Sequence, residues 1–123
     1  MTAAGGEGKA KAPIRVVVRC RPLSKREQDE EGGGGRVCLS CHGNRVVVGG
    51  EPNALPGPVK EFGFDKVFHG GATQADVYEG FGASLAEAAL QGYNTCIFAY
   101  GQTGSGKSHS MVGTEAEGEG RGL

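Results

Sequence analysis

Eight consecutive residues, Gly101-Gln102-Thr103-Gly104-Ser105-Gly106-Lys107-Ser108, satisfy the pattern G-x-x-x-x-G-K-[ST] at every fixed position. The pattern constrains the fold because a loop of this kind works only between a strand and a helix, which places the chain in the α/β class. Gly101, Gly104 and Gly106 open dihedrals closed to residues with a Cβ, and they let backbone N–H groups approach a polyphosphate. The N-terminus of a following helix adds partial positive charge. Lys107 is then the mobile cation for the β- and γ-phosphates and the catalytic candidate of the loop, while the Ser108 hydroxyl is the expected Mg²⁺ ligand. The flanks agree: Thr95 to Tyr100 reads as a buried strand, and the residues after Gly106 predict a helix through Met111. A flexible Gly/Ser linker is the competing reading and does not account for that order.

A length of 123 residues allows at most one domain, and a formal charge of −1 gives no global attraction to nucleic acid or to an anionic membrane. The 24 glycines are about three times the usual share and gather outside the apolar runs, which predicts long surface loops. No apolar run reaches the length of a membrane span. Met1 to Lys11 has no hydrophobic stretch of the kind a secretory leader needs, so a reducing intracellular compartment is the default. Cys38-Leu39-Ser40-Cys41-His42 matches C-x-x-C-H, the spacing of covalent haem attachment, and could form half a zinc site. The preferred reading is two cysteines on opposite faces or ends of a short strand, since Cys20, Cys96 and His69 supply no second closely spaced pair.

In chain order, residues 1–12 are small and polar and predict a disordered tail. Ile14 to Arg21 predicts a strand buried over most of its length and closed by Pro22. Its arginines either reach solvent or face a ligand, and the residues alone leave both open. Ser24-Lys25-Arg26-Glu27 has the form of a capping box and predicts a short helical turn before the Gly32 to Gly35 run. Arg36 to Ser40 and Arg45 to Val48 predict a hairpin around His42-Gly43-Asn44. Pro52, Pro56 and Pro58 enforce a loop, and Lys60 to Asp65 alternates as a strand with an exposed face would. A helix is expected from Thr73, its cap, to about Gln91, with Val77, Phe81, Leu85 and Ala88 or Ala89 on one face and Gly92 at a left-handed terminus. Gly80 and Gly82 should weaken it by about 1 kcal/mol each relative to alanine. Tyr78 lies beside that apolar stripe as a boundary aromatic, and Thr114 to Gly122 is an acidic, glycine-rich loop.

The residues from Gly92 to Gly113, with the phosphate loop at their centre, resemble the signature of the kinesin motor domain around its nucleotide loop. Three further stretches resemble that family in its own order: Ile14 to Pro22 with Arg19-Cys20-Arg21-Pro22, then Phe64-Asp65-Lys66-Val67-Phe68, then Thr73-Gln74-Ala75-Asp76-Val77-Tyr78. Ser108, and the wording from Gly92 to Met111, lean toward the kinesin-3 group. The resemblance implies an α/β P-loop NTPase fold of kinesin type, ATP with Mg²⁺ as cofactors, and microtubules as partner through regions mostly lying elsewhere. It implies a cytoplasmic, cytoskeletal location, and it leaves the oligomeric state open. It also implies that Arg19, Arg21, Pro22 and Tyr78 line the adenine site, with His109 at its edge.

A motor domain of this family is about three times as long as this chain. On the resemblance, residues 13–123 are its N-terminal part. The family's patterns N-x-x-S-S-R-S-H and D-x-x-G-x-E, which position the attacking water and sense the γ-phosphate, do not occur in the sequence, and Arg121-Gly122-Leu123 matches the start of the family's R-G-[IL]-I-P-R segment. The chain is therefore expected to be a fragment, with Thr95 to Tyr100 unpaired, marginal stability and a tendency to aggregate. Two functions compete: the nucleotide-binding part of a microtubule-stimulated ATPase, or a non-catalytic product that binds nucleotide weakly or serves only as an interaction piece. Another P-loop NTPase or kinase fits the flanking stretches poorly.

Overall fold

The computed structural model describes residues 14–29, 38–50, 57–114 and 122–123. The expected tail over residues 1–12, the run Gly32 to Gly35 and most of the proline-rich and acidic loops lie outside these described residues. The elements are β1 (Val17–Arg19), α1 (Lys25–Asp29), β2 (Leu39–His42), β3 (Arg45–Val48), β4 (Lys60–Gly63), β5 (Lys66–Phe68), α2 (Gln74–Val77), a π-helical turn (Tyr78–Gly82), α3 (Ala83–Leu90) and α4 (Lys107–Met111).

Among the described residues two small sheets form. In one, β1 and β5 pair in parallel, with Val17 opposite Lys66 and Arg19 opposite Phe68. The end of this pair is fixed by the Cys20 amide, which donates to the Phe68 carbonyl at 2.8 Å, and its start by the Val16 amide, which donates to an Asp65 carboxylate oxygen at 2.6 Å. The other sheet is antiparallel in the order β2-β3-β4. Its hairpin turns on Gly43 and Asn44, where Gly43 takes a φ of 58° that favours glycine. Of the first strand expected from Arg36, residues 36 and 37 lie outside the described residues and β2 occupies Leu39–His42, while the second strand falls where the β-branched run predicts. β4 is shorter than the alternating run Lys60 to Asp65 and is exposed at all four residues, Phe62 included, where alternation alone predicts one covered face; its Glu61 pairs with Arg45 across the ladder at 2.6 Å.

The strand expected from Ile14 to Arg21 shortens to three residues, with Ile14 90 % exposed and only Val17 to Cys20 half-buried. Parallel pairing with one neighbour of three residues covers no more of it.

The expected helix from Thr73 runs continuously through α2, the π turn and α3 to Leu90. Thr73 and Asp76 form a reciprocal capping box at its start, and Gly92 adopts a φ of 91° just beyond its end. The π turn contains both glycines of the expected helix. Gly80 does more than weaken the helix, because a Cβ there would lie 3.0 Å from two carbons of the Phe68 ring. The glycine thus lets the helix settle directly onto β5.

The core sits where these pieces meet: Phe68, Val77 and Phe81 are buried, with Val17, Ala72, Leu85, Ile97 and Leu123 packed around them. It is small, and Phe98 and Tyr100 stand 90 % and 103 % exposed beside it. The expected buried strand Thr95 to Tyr100 is corrected accordingly: it joins no sheet among the described residues, and only Ile97 reaches the core. β-propensity describes fitness for a pleated surface, and with no neighbouring ladder the run has no such surface to occupy. Unpaired backbone and exposed apolar side chains are the condition expected of this segment.

Candidate functional site

The loop from Gly101 to Ser108 is folded. Thr103 and Gly104 make a tight turn closed by the Ser105 amide, which donates to the Gln102 carbonyl at 3.1 Å. Gly104 and Gly106 have φ of 81° and 96°, conformations that cost a residue with a Cβ roughly 1–2 kcal/mol. Gly106 also caps α4 from the left-handed region, and no side chain bonds the first amides of that helix. Those amides therefore point at the loop's open side with their donor capacity unspent by any cap. Gly101 is required for a different reason: a Cβ on it would meet the Ser105 Oγ at 2.5 Å. The Ser105 hydroxyl is itself buried and has no hydrogen-bond partner, an orphaned polar atom within the turn.

Lys107 closes the loop. Its Nζ donates to the Gly101 carbonyl at 2.6 Å and to the Gln102 carbonyl at 2.9 Å, so the ammonium lies over the start of the octet from the first residue of α4. Ser108 is exposed in the same first turn. The loop therefore has a helix on one side, as expected, and an unpaired run in place of a strand on the other.

A cavity of about 170 Å³ opens beside it, and Arg19, Arg21, Pro22, Ser105, Gly106 and His109 are among its lining residues. This is below the roughly 300–1,000 Å³ of whole small-molecule pockets, which suits one ring of a nucleotide with the remainder lying on the open loop. Six of the expected base-site and loop residues, drawn from stretches that lie far apart in the sequence, thus converge on one space. Tyr78 is not among them: it is 45 % exposed and its ring lies against Gly82 on the helix.

The two arginines behave differently. Arg19 is a brace: its guanidinium donates to the Gln74 side-chain carbonyl, to Ser110 Oγ at 3.1 Å and to the Ala72 carbonyl at 3.4 Å. Desolvation by these neighbours lowers its pKa. Arg21 turns toward α1 and grips the Glu27 carboxylate with two bonds of 2.7 and 2.6 Å. Those bonds, with the Ser24 amide and hydroxyl adding to them, hold the Glu27 carboxyl down at about 2.

Gln74 was not singled out as a site residue by the sequence. It is the one buried polar side chain among the described residues, 9 % exposed, and its Nε2 donates to the His109 carbonyl at 2.5 Å while its Oε1 accepts from Arg19. It therefore links β1, the capped helix and α4. A visible cue existed: Gln74 precedes Val77 and Phe81 by three and seven residues, a polar residue on the apolar stripe.

The donor set fits a polyphosphate with Mg²⁺. Uncapped helix amides, glycine-only turns with open space where Gly104 and Gly106 would carry a Cβ, one ammonium and an exposed hydroxyl in one turn supply the required chemistry. The C-x-x-C-H stretch gathers no such set, since among the described residues no three His, Cys, Asp or Glu side chains converge on a metal position. Among the same residues, no helix is long and apolar enough to cross a membrane.

Comparison with known proteins gives a consistent result. The family model of the kinesin motor domain matches residues 19–123. The chain is 41 % identical over 116 residues to the kinesin-like protein KIF3C of Pongo abelii, covering 94 % of this chain and 14 % of that one. It is 45 % identical over 105 residues to the kinesin-like protein KIN-14Q of Arabidopsis thaliana, covering 85 % and 8 % respectively. A solved structure described as that of a fast kinesin, with implications for ATPase mechanism and interactions with microtubules, superposes with a TM-score of 0.75 at 33 % identity, over 89 % of this chain and 29 % of that chain. The chain spans about a seventh or less of the length of these curated relatives. The matches carry the expected P-loop fold of kinesin type and no particular group within the family, so the kinesin-3 lean gains nothing from them.

Proposed function

Since the chain belongs to the kinesin motor-domain family, we propose that it forms the nucleotide-holding part of a microtubule-stimulated motor that hydrolyses ATP in the cytoplasm. The observation that carries this reading is the folded octet, with Lys107 and Ser108 in the first turn of α4 and the amides of that turn uncapped. In the proposal, residues 13–123 are the N-terminal part of the motor domain.

Mg-ATP would be held by the amides of the Gly101 to Ser108 loop, by the Lys107 ammonium at the β- and γ-phosphates and by the Ser108 hydroxyl at the metal. When bound, the metal neutralises phosphate charge during transfer. For this chain's own residues, the chemistry is charge placement. Lys107 must leave the carbonyls of Gly101 and Gln102 to meet a phosphate, exchanging two neutral acceptors for an anionic one. Arg19 and Gln74 hold α4 against β1 so that its first turn keeps its aim. Arg21, Pro22 and His109 would wall the base, with the alkyl stem of Arg21 facing the cavity while its charge is held by Glu27. Tyr78, the remaining residue the resemblance assigns to the base site, does not line this cavity. Microtubules would be engaged by parts of the protein beyond these residues.

The test is titration of the chain with a fluorescent ATP analogue in Mg²⁺ and in EDTA, together with the variants Lys107→Ala and Ser108→Ala. Weak binding that disappears in Lys107→Ala, and whose dependence on Mg²⁺ disappears in Ser108→Ala, is expected. Binding that survives Lys107→Ala unchanged would overturn the proposal. Phosphate release from this chain is expected to show no response to microtubules.

A further inference from the structure

The C-x-x-C stretch finds its use across the fold. Cys41 does not face Cys38; its thiol donates to the Cys20 sulfur, with the two Sγ atoms 3.5 Å apart. Both are free and half-buried, whereas Cys38 and Cys96 are free and exposed. They come from different sheets: Cys20 follows β1, and Cys41 lies in β2 opposite the buried Val46. Each backbone is fixed, Cys20 by its amide on the Phe68 carbonyl and Cys41 by the β2–β3 ladder, so the approach belongs to the fold. Cys20 also lines the cavity beside the phosphate loop.

We propose that Cys20 and Cys41 are an oxidisable dithiol, modified by hydroperoxides to a disulfide that ties the β2–β3 hairpin to the end of β1. The sulfurs must close by about 1.5 Å to reach the disulfide bond length, a movement within reach of side-chain rotation and a small shift of the short β2 strand. Burial, and then contact with Cys41, pushes the Cys20 thiol up to about 11, so Cys20 stays protonated at neutral pH and enters second. The steps balance. Cys41 sulfur takes one oxygen from hydrogen peroxide, forming a sulfenic acid and releasing water. Cys20 sulfur then attacks that sulfur, the S–S bond forms as the S–O bond breaks, and the departing hydroxide leaves as water with the Cys20 proton. Two thiols are oxidised and one peroxide is reduced. The reading stands independently of nucleotide binding.

The test treats the folded 123-residue chain with equimolar hydrogen peroxide, removes the peroxide, alkylates the remaining thiols in denaturant and maps the peptides. Two of the four thiols should be lost, and the linked peptides should join Cys20 to Cys41 within one chain. In Cys20→Ser the Cys41 sulfenic acid should persist and be trapped by dimedone; in Cys41→Ser, Cys20 should remain alkylatable. Repeating the oxidation in urea should abolish the preference for this pair. A Cys38–Cys41 disulfide as the main product, or dimers through Cys38 or Cys96 with Cys20 still alkylatable, would overturn the proposal. Equal yield of the Cys20–Cys41 link in urea would do the same.

Discussion

Removing the polar end of Gln74 should destabilise the chain by an amount that its two hydrogen bonds set. The bond to the His109 carbonyl joins neutral partners and contributes about 0.5–1.5 kcal/mol, while the bond from the Arg19 guanidinium is charge-assisted and contributes about 1.5–3 kcal/mol. Arg19 keeps Ser110 and the Ala72 carbonyl, which softens the loss of the second. The expected cost is therefore about 2–3 kcal/mol, against a total stability that for small domains starts near 5 kcal/mol. Urea unfolding followed by far-ultraviolet circular dichroism measures it, since the chain has no tryptophan to follow. Gln74→Met is the deciding variant, because it keeps the volume and deletes both bonds. Combined with Arg19→Met, it should show a coupling above about 0.5 kcal/mol, as contacting residues do. If Gln74→Met unfolds within about 0.5 kcal/mol of the parent, the side chain is filler and the linkage of β1 to α4 through it is wrong. Nucleotide affinity should fall with stability in this variant, because the first turn of α4 loses its support.

Gly80→Ala should destabilise by about 1–2 kcal/mol although alanine is the better helix former by about 1 kcal/mol, because the new methyl would crowd the Phe68 ring at 3.0 Å and the Lys66 Nζ at 3.1 Å; a stabilised variant in thermal melts would contradict the contact. Glu27 should titrate near pH 2 by carboxyl NMR rather than at its usual 4.5, and Arg21→Gln should move it part of the way back, the Ser24 amide and hydroxyl still holding it down. A carboxyl whose folded pKa is depressed contributes stability that is complete above about pH 4.5 and lost as the pH falls toward 2, so the α1 turn should loosen across that window and not near neutrality.

What was legible in the sequence is what local chemistry decides. The capping box at Ser24, the cap at Thr73, the Gly43-Asn44 turn, the Val77 and Phe81 stripe and the helix opening at Lys107 each depend on residues within a turn or two of one another, and each formed. The parallel register of β1 with β5 depends on residues 49 apart and has no local signature. Arg21 shows the same limit. An S-x-x-E box predicts that Glu27 turns back to Ser24, which it does at 2.8 Å, but nothing in that pattern says the carboxylate also takes the guanidinium from across Pro22. Gln74 escaped because its partners come from β1 and α4, on either side of it in the chain.

The loop is consequently held from one side. Its helix end is anchored by Arg19 to Ser110, by Gln74 to His109 and by the Leu123 amide, which donates to the Ser110 carbonyl at 2.9 Å. Its other end continues into Thr95 to Tyr100, where Ile97 alone packs on the core. Lys107 is the tie between the two ends, because its ammonium on the helix side holds the carbonyls of Gly101 and Gln102 on the other. A phosphate that draws Lys107 away therefore removes the constraint on the glycine turn at the moment the turn must present its amides. Part of the binding free energy goes into ordering that turn, which lowers affinity relative to a loop whose strand is fixed in a sheet. This is the physical basis for expecting weak nucleotide binding from residues whose chemistry is otherwise suited to it.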